Sequence, residues 1–93
     1  MPSPAETKKA KQDAYNEWRE DNPLKKYRTQ VLKHARSDAS LVTALSISTI
    51  NNIESGGQPL TEATEPLVAS YMGGIKPETA REQFRLWAAA RPE

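Results

Sequence analysis

The sequence predicts an all-α protein of five helices. Three observations carry this. No stretch alternates apolar and polar residues as a strand would, and the β-branched residues gather at 47–53 with helical spacing. Apolar residues recur three and four apart, as at Leu24, Tyr27 and Val31, or Ile50 and Ile53. Helix stops separate these windows at Asp21-Asn22-Pro23, Gly56-Gly57 and Gly73-Gly74. With 93 residues, a basic helical extension over 1–21 and one main domain over 22–93 are expected.

The first helix spans Ala5 to Glu20 and is rich in Ala, Lys, Glu and Gln, all good helix formers. Its aromatic pair, Tyr15 and Trp18, shares one side and docks the helix, either within the chain or across a dimer. Asn22 caps the next helix and Pro23 opens it, because the first N–H of a helix is unpaired in any case. That helix is predicted to run to Ala35, with Leu24, Tyr27, Val31 and Ala35 as its buried stripe. Between Pro23 and Ser37 there is no acid, so Lys25, Lys26, Arg28, Lys33 and Arg36 are candidate phosphate contacts. Residues 1–36 hold nine Lys/Arg against five acids, which points to a polyanion partner despite an overall charge of +1.

Ser37 or Asp38 is predicted to cap a short helix with Leu41, Val42 and Leu45 on its core face. Ser46 marks a tight break. Ile47 plugs the core and Ser48 caps a second short helix that ends at Gly56-Gly57. A different register, set by Ile50 and Ile53, puts Leu45 at the turn and Ile47 near the outer face. The first is preferred because it buries Leu41, Leu45 and Ile47 together. Thr61 starts the next helix, through Met72, with Leu67, Val68, Tyr71 and Met72 as its apolar face. Lys76-Pro77-Glu78 opens the last, to Ala90, with Phe84, Leu86, Trp87 and Ala88 as its apolar residues.

Two short helices joined by a tight turn are a common means of entering the DNA major groove. Asn51 and Asn52 lie between the inward Ile50 and Ile53 and so face outward, where an asparagine amide matches the groove edge of adenine. Ser48, Thr49 and Ser55 complete the candidate base-contacting set. Against this, residues 37–56 contain no Lys or Arg. The chain has no cysteine and one histidine, His34, so neither a thiolate metal site nor a Ser/His/Asp set is expected. No metal, cofactor or enzymatic activity is expected. No apolar run approaches the roughly 20 residues of a membrane span, and the N-terminus lacks an apolar signal core. A soluble cytoplasmic protein with no membrane partner is expected.

Over residues 22–90 the pattern resembles the lambda-repressor/Cro-like helix-turn-helix family, also called the XRE family. Asn22 to Arg28 is similar to its opening helix, and Ser37 to Ser48 to its second helix and turn. Ile50, Ile53, Glu54 and Gly56 are similar to the close of its recognition helix, where the glutamate supports structure. The family's usual turn glycine is replaced by Ser46. The resemblance implies a five-helix domain, here including an added N-terminal helix, that binds double-stranded DNA as a small transcriptional regulator. The size matches phage or mobile-element repressors of Cro type. It also implies a homodimer through the last helix, with Phe84 and Trp87 as the contact residues. The alternative is a helix-turn-helix module that binds a host protein instead of DNA.

Overall fold

A computed structural model describes the chain over residues 4–92, with side chains from residue 10 onward. The described residues form six α-helices and no strand: α1 (Pro4–Glu20), α2 (Pro23–Lys26), α3 (Arg36–Thr43), α4 (Ile47–Ser55), α5 (Glu65–Tyr71) and α6 (Pro77–Ala89). The all-α prediction holds. The count is six, not five: each of the six helical windows read in the sequence becomes one α-helix.

The N-cap at Asn22 forms as predicted and reaches further. Its Oδ1 accepts from the Lys25 N–H at 3.0 Å, while its Nδ2 donates to the Ile53 carbonyl at 3.2 Å. One buried asparagine thus starts α2 and holds the end of α4. The helix does not reach Ala35. Tyr27–Val31 is a wide π-turn, closed by the Leu32 N–H on the Tyr27 carbonyl at 3.0 Å. The extra residue in that turn slips the helical phase by one position. Leu32 therefore packs on the core in place of Val31, which is 61% exposed, and Ala35 is exposed too. Lys33 then takes a left-handed conformation (φ 55°) and turns the chain toward α3.

Leu24, Ile50, Ile53 and Val68 are the most deeply buried large apolar residues, joined by Ala39, Tyr71, Met72 and Phe84. α5 starts at Glu65 and not at the predicted Thr61, because Thr61 opens a turn in which the Thr61 and Thr64 hydroxyls each accept from the other residue's N–H. Leu67, Leu86 and Ala88, expected in the core, are exposed, because Val68 and Trp87 take the inward phase of α5 and α6. Glu65 on α5 pairs bidentately with Arg81 on α6, at 2.8 and 2.7 Å.

The end of α1 belongs to this core. Trp18 and Trp87 stack 4.1 Å apart and nearly parallel. Each indole N–H donates to the other residue's backbone carbonyl at 2.7 Å. This answers how Tyr15 and Trp18 dock: within one chain. Phe84 and Trp87, the residues expected at a dimer contact, are buried within the chain, and Trp87 spends one ring face and its N–H on Trp18.

The tryptophan pair rests on Gly56, which ends α4 with φ 81°. A Cβ there would lie 2.7 Å from Trp18 and 3.2 Å from Trp87. Gly56→Ala is expected to cost about 2 kcal/mol or more, from the left-handed strain and the overlap together. Urea melts followed by tryptophan fluorescence check this, and a wild-type midpoint would show that the pair does not rest there.

A pH dependence follows from the α5–α6 pair. Hydrogen bonding from Arg81, with its charge as a smaller cause, holds the Glu65 carboxyl below its usual range against an opposing desolvation. A carboxylate with a lower pKa folded than unfolded stabilises the fold above its ordinary pKa, and the contribution fades as pH falls through the folded value. Glu65→Gln should therefore flatten the acid limb of stability against pH. Thermal melts from neutral to acidic pH test it, and an unchanged limb would show that the pair contributes nothing.

Candidate functional site

The residues with the least to do in the fold lie on α3, α4 and the turn between them. Asp38 starts α3 by accepting from the Ala35 N–H at 3.0 Å, so the cap residue is Ala35 and not Ser37 or Asp38. α3 stops at Ala44, which adopts φ 63°. Hydroxyls stitch the turn. Ser40 donates to the Leu45 carbonyl at 2.6 Å, while Thr43 donates to the Ala39 carbonyl at 2.7 Å and accepts from the Leu45 N–H at 3.2 Å. Ser46 caps α4, accepting from the Thr49 N–H at 3.1 Å. Ser48 does not cap it.

The chain therefore takes the register set by Ile50 and Ile53, and the preferred one is overturned. On α3, Ala39 and Thr43 face inward, leaving Leu41 84% and Val42 65% exposed. Leu45 is half-buried at the turn, and Ile47 is 50% exposed at the start of α4. Two hydroxyl-bearing side chains and an alanine close the α3–turn junction, so it has no room for larger apolar ones.

Glu54 locks this unit from behind. It is 2% exposed. Arg28 holds it with Nε at 2.7 Å and Nη2 at 2.9 Å, and donates its Nη1 to the His34 carbonyl at 2.8 Å. The hydrogen bond to Glu54, ahead of the opposing desolvation and the carboxylate's charge, raises the Arg28 pKa above its ordinary value. Arg36, the first residue of α3, brings its Nε within 3.5 Å of the same carboxylate, without a hydrogen bond. Two guanidiniums share one carboxylate, so the junction of α2, α3 and α4 keeps an excess positive charge, and Arg36 is the half-exposed member.

The predicted phosphate set is thus corrected at Arg28, which is buried and committed to Glu54. Its spacing of four residues from the buried Leu24 carries it inward. Lys25 and Lys26 sit in surface pairs with Glu20 and Asp21, at 2.5 and 3.1 Å. Lys33 is exposed. Among the predicted base contacts, Ser48, Asn51 and Asn52 are exposed, and their side chains make no hydrogen bond among the described residues. Thr49 and Ser55 are half-buried. Thr49 bonds Ser46 side chain to side chain at 2.8 Å, and Ser55 donates to the Asn52 carbonyl at 3.2 Å. Reading the sequence misses Ile47 as a surface residue and Arg28 as a buried one. The signal for Arg28 is present: it lies four residues from Leu24, on the apolar stripe.

No group of three or more potential metal ligands occurs among the described residues, and no described helix is long and apolar enough to cross a membrane. A groove of about 780 Å³ between α1, α2 and α6 is floored by Trp18, Trp87, Leu86 and Val31. Compared with protein-family models, curated proteins and solved structures, the chain matches none.

Removing one member of a buried pair strands the other charge, at a cost of about 3–5 kcal/mol. Arg28→Met should lose that much, and Arg28→Met with Glu54→Leu should regain most of it. Arg36→Ala should cost under about 1 kcal/mol, as a half-exposed partner. Urea titrations of wild type and the three variants check the ranking; equal losses for Arg28 and Arg36 would contradict it.

Proposed function

We propose that the chain is a small helix-turn-helix DNA-binding protein of the lambda-repressor-like kind, with α3 and α4 as its reading unit. One observation carries this. The inner face of α4 is fixed by Ile50, Ile53 and Glu54, while Ser48, Asn51 and Asn52 on its outer face serve no purpose in the core. A rigid short helix with a free polar face suits entry into the major groove. Ala44 in the turn and Glu54 at the close of α4 support the family likeness.

Arg36 and Lys33 then face phosphates, helped by Lys25 and Lys26, whose exposed pairs are weak enough for a phosphate to displace the acid. The protein would act as a sequence-specific regulator of repressor type, its occupancy of a site blocking RNA polymerase. A second reading, a module that binds a host protein, is favoured by the exposure of Leu41 and Val42 and the absence of cations over 37–56.

Fluorescence anisotropy on duplex DNA across a salt series separates the two. The DNA reading expects binding that weakens with salt. Lys33→Ala and Arg36→Ala should each lower the slope by about one unit, the worth of one phosphate neutralised. No salt-dependent binding to any duplex would discard it for the protein-partner reading.

A further inference from the structure

The outward face of α4 lacks the side chains that pair preferentially with two of the four bases. Guanine is read in the major groove by Arg or Lys on its O6 and N7, and cytosine by a carboxylate that accepts from its amino group. α4 contains no Arg or Lys. Its one acid, Glu54, is buried and held by Arg28. What remains outward is the amides of Asn51 and Asn52, the Ser48 hydroxyl and the Ile47 side chain. The hydroxyls of Ser46 and Thr49 bond each other.

We propose that this face reads A·T base pairs, and that Ile47 does so by packing on the C5 methyl of a thymine. This rests on the DNA-binding reading above and adds the identity of the bases. Ile47 is the first residue of α4, and the N-terminal residues of a recognition helix are those that meet base edges. It stands half-exposed because Leu45 occupies the turn and Ile50 the core. The thymine methyl is the apolar group that base edges offer in the major groove. Asn51 lies one helical turn further, four residues on, so the two side chains are surface neighbours. The asparagine amide supplies the donor and acceptor that match adenine. An isoleucine beside an asparagine thus presents together what thymine and adenine present together.

The test starts from a pool of randomised duplexes enriched on the wild-type protein. The enriched duplexes are remade with deoxyuridine in place of thymidine, which removes only the methyl. Enrichment of A·T pairs at the fixed positions is expected. Uridine substitution should weaken wild-type binding by about fourfold per contacted methyl, the worth of one buried methylene. Ile47→Ala should bind the thymidine duplex more weakly and be indifferent to the substitution, while Ile47→Val keeps part of the sensitivity. Thermal melts of both variants verify the fold. Equal wild-type affinity for the two duplexes overturns the methyl contact and leaves DNA binding standing. Fixed G·C pairs in the enriched pool overturn the A·T assignment, again without touching DNA binding. A pool that never enriches, and no duplex bound in a salt-dependent way, removes the DNA reading and this inference together.

Discussion

Glu54 is a carboxylate with almost no access to water, and the placing of three helices follows from the need to neutralise it. Burying a lone charge costs several kcal/mol. Arg28 meets that cost with two parallel hydrogen bonds, and Arg36 adds a nearby charge. Arg28 faces inward one helical turn after Leu24, and the helix that carries it then opens into a π-turn and ends. The ending frees Lys33 and His34 to turn the chain, which in turn sets where α3 begins. The His34 carbonyl returns as an acceptor for Arg28, and its ring Nδ1 lies 3.1 Å from the Tyr71 hydroxyl. An ion pair of this kind contributes little net stability compared with an apolar isostere. Its effect is orientation: a guanidinium fork accepts a carboxylate in few geometries, so α2 and α4 are held at one angle and one register.

The second fixed point is the tryptophan pair. A stacked pair of indoles with reciprocal N–H to carbonyl bonds satisfies both buried donors while excluding water from a large apolar area. It joins the last turn of α1 to the last turns of α6, on top of Gly56. Residues that read in sequence as an extension beside a domain are therefore joined at Trp18, and only the earlier turns of α1 stand clear, with Ala10 to Ala14 exposed. The end of α4 is thus held by Asn22, by Glu54 and by the indoles over Gly56. Its start is held by Ser46 alone, on the side where Ile47 is exposed.

Much of this is legible in the chain. The Asn22-Pro23 start, the Gly56 stop, the inward Ile50 and Ile53 and the Pro77 start all have local causes, and local causes are what a sequence displays. The misread residues have non-local causes. Val31 yields its core place to Leu32 because of the π-turn, and Arg28 is committed to Glu54, twenty-six residues away. Leu41, Val42 and Ile47 look like core by composition, and burying them favours the wrong register. The structure instead packs Ala39 and Thr43 against α4 and α5, a close approach that larger side chains would prevent. The place of Trp87 inside the chain is not readable because the residue it stacks on, Trp18, lies sixty-nine residues away. On the candidate site, the outward asparagines are readable from the isoleucine spacing. The inward place of Arg28 is readable from its spacing to Leu24, but its commitment to Glu54 is not, since that depends on the partner that α4 provides.

The exposed apolar residues argue further about what kind of surface this is. Leu41, Val42 and Ile47 on one short helix pair leave apolar area in water, at a cost to solubility that a purely structural surface has no reason to bear. Replacing any of them with a polar residue would leave the core untouched, because none fills it. Ile47 shares α4 with the free amides, whereas Leu41 and Val42 lie on α3, across the turn from them. A groove-reading helix uses the first kind of position, and the α3 residues face a different direction. On the proposed DNA reading Ile47 is the position that meets the groove, whereas the exposure of Leu41 and Val42 on α3 is what favours the rival protein-partner reading.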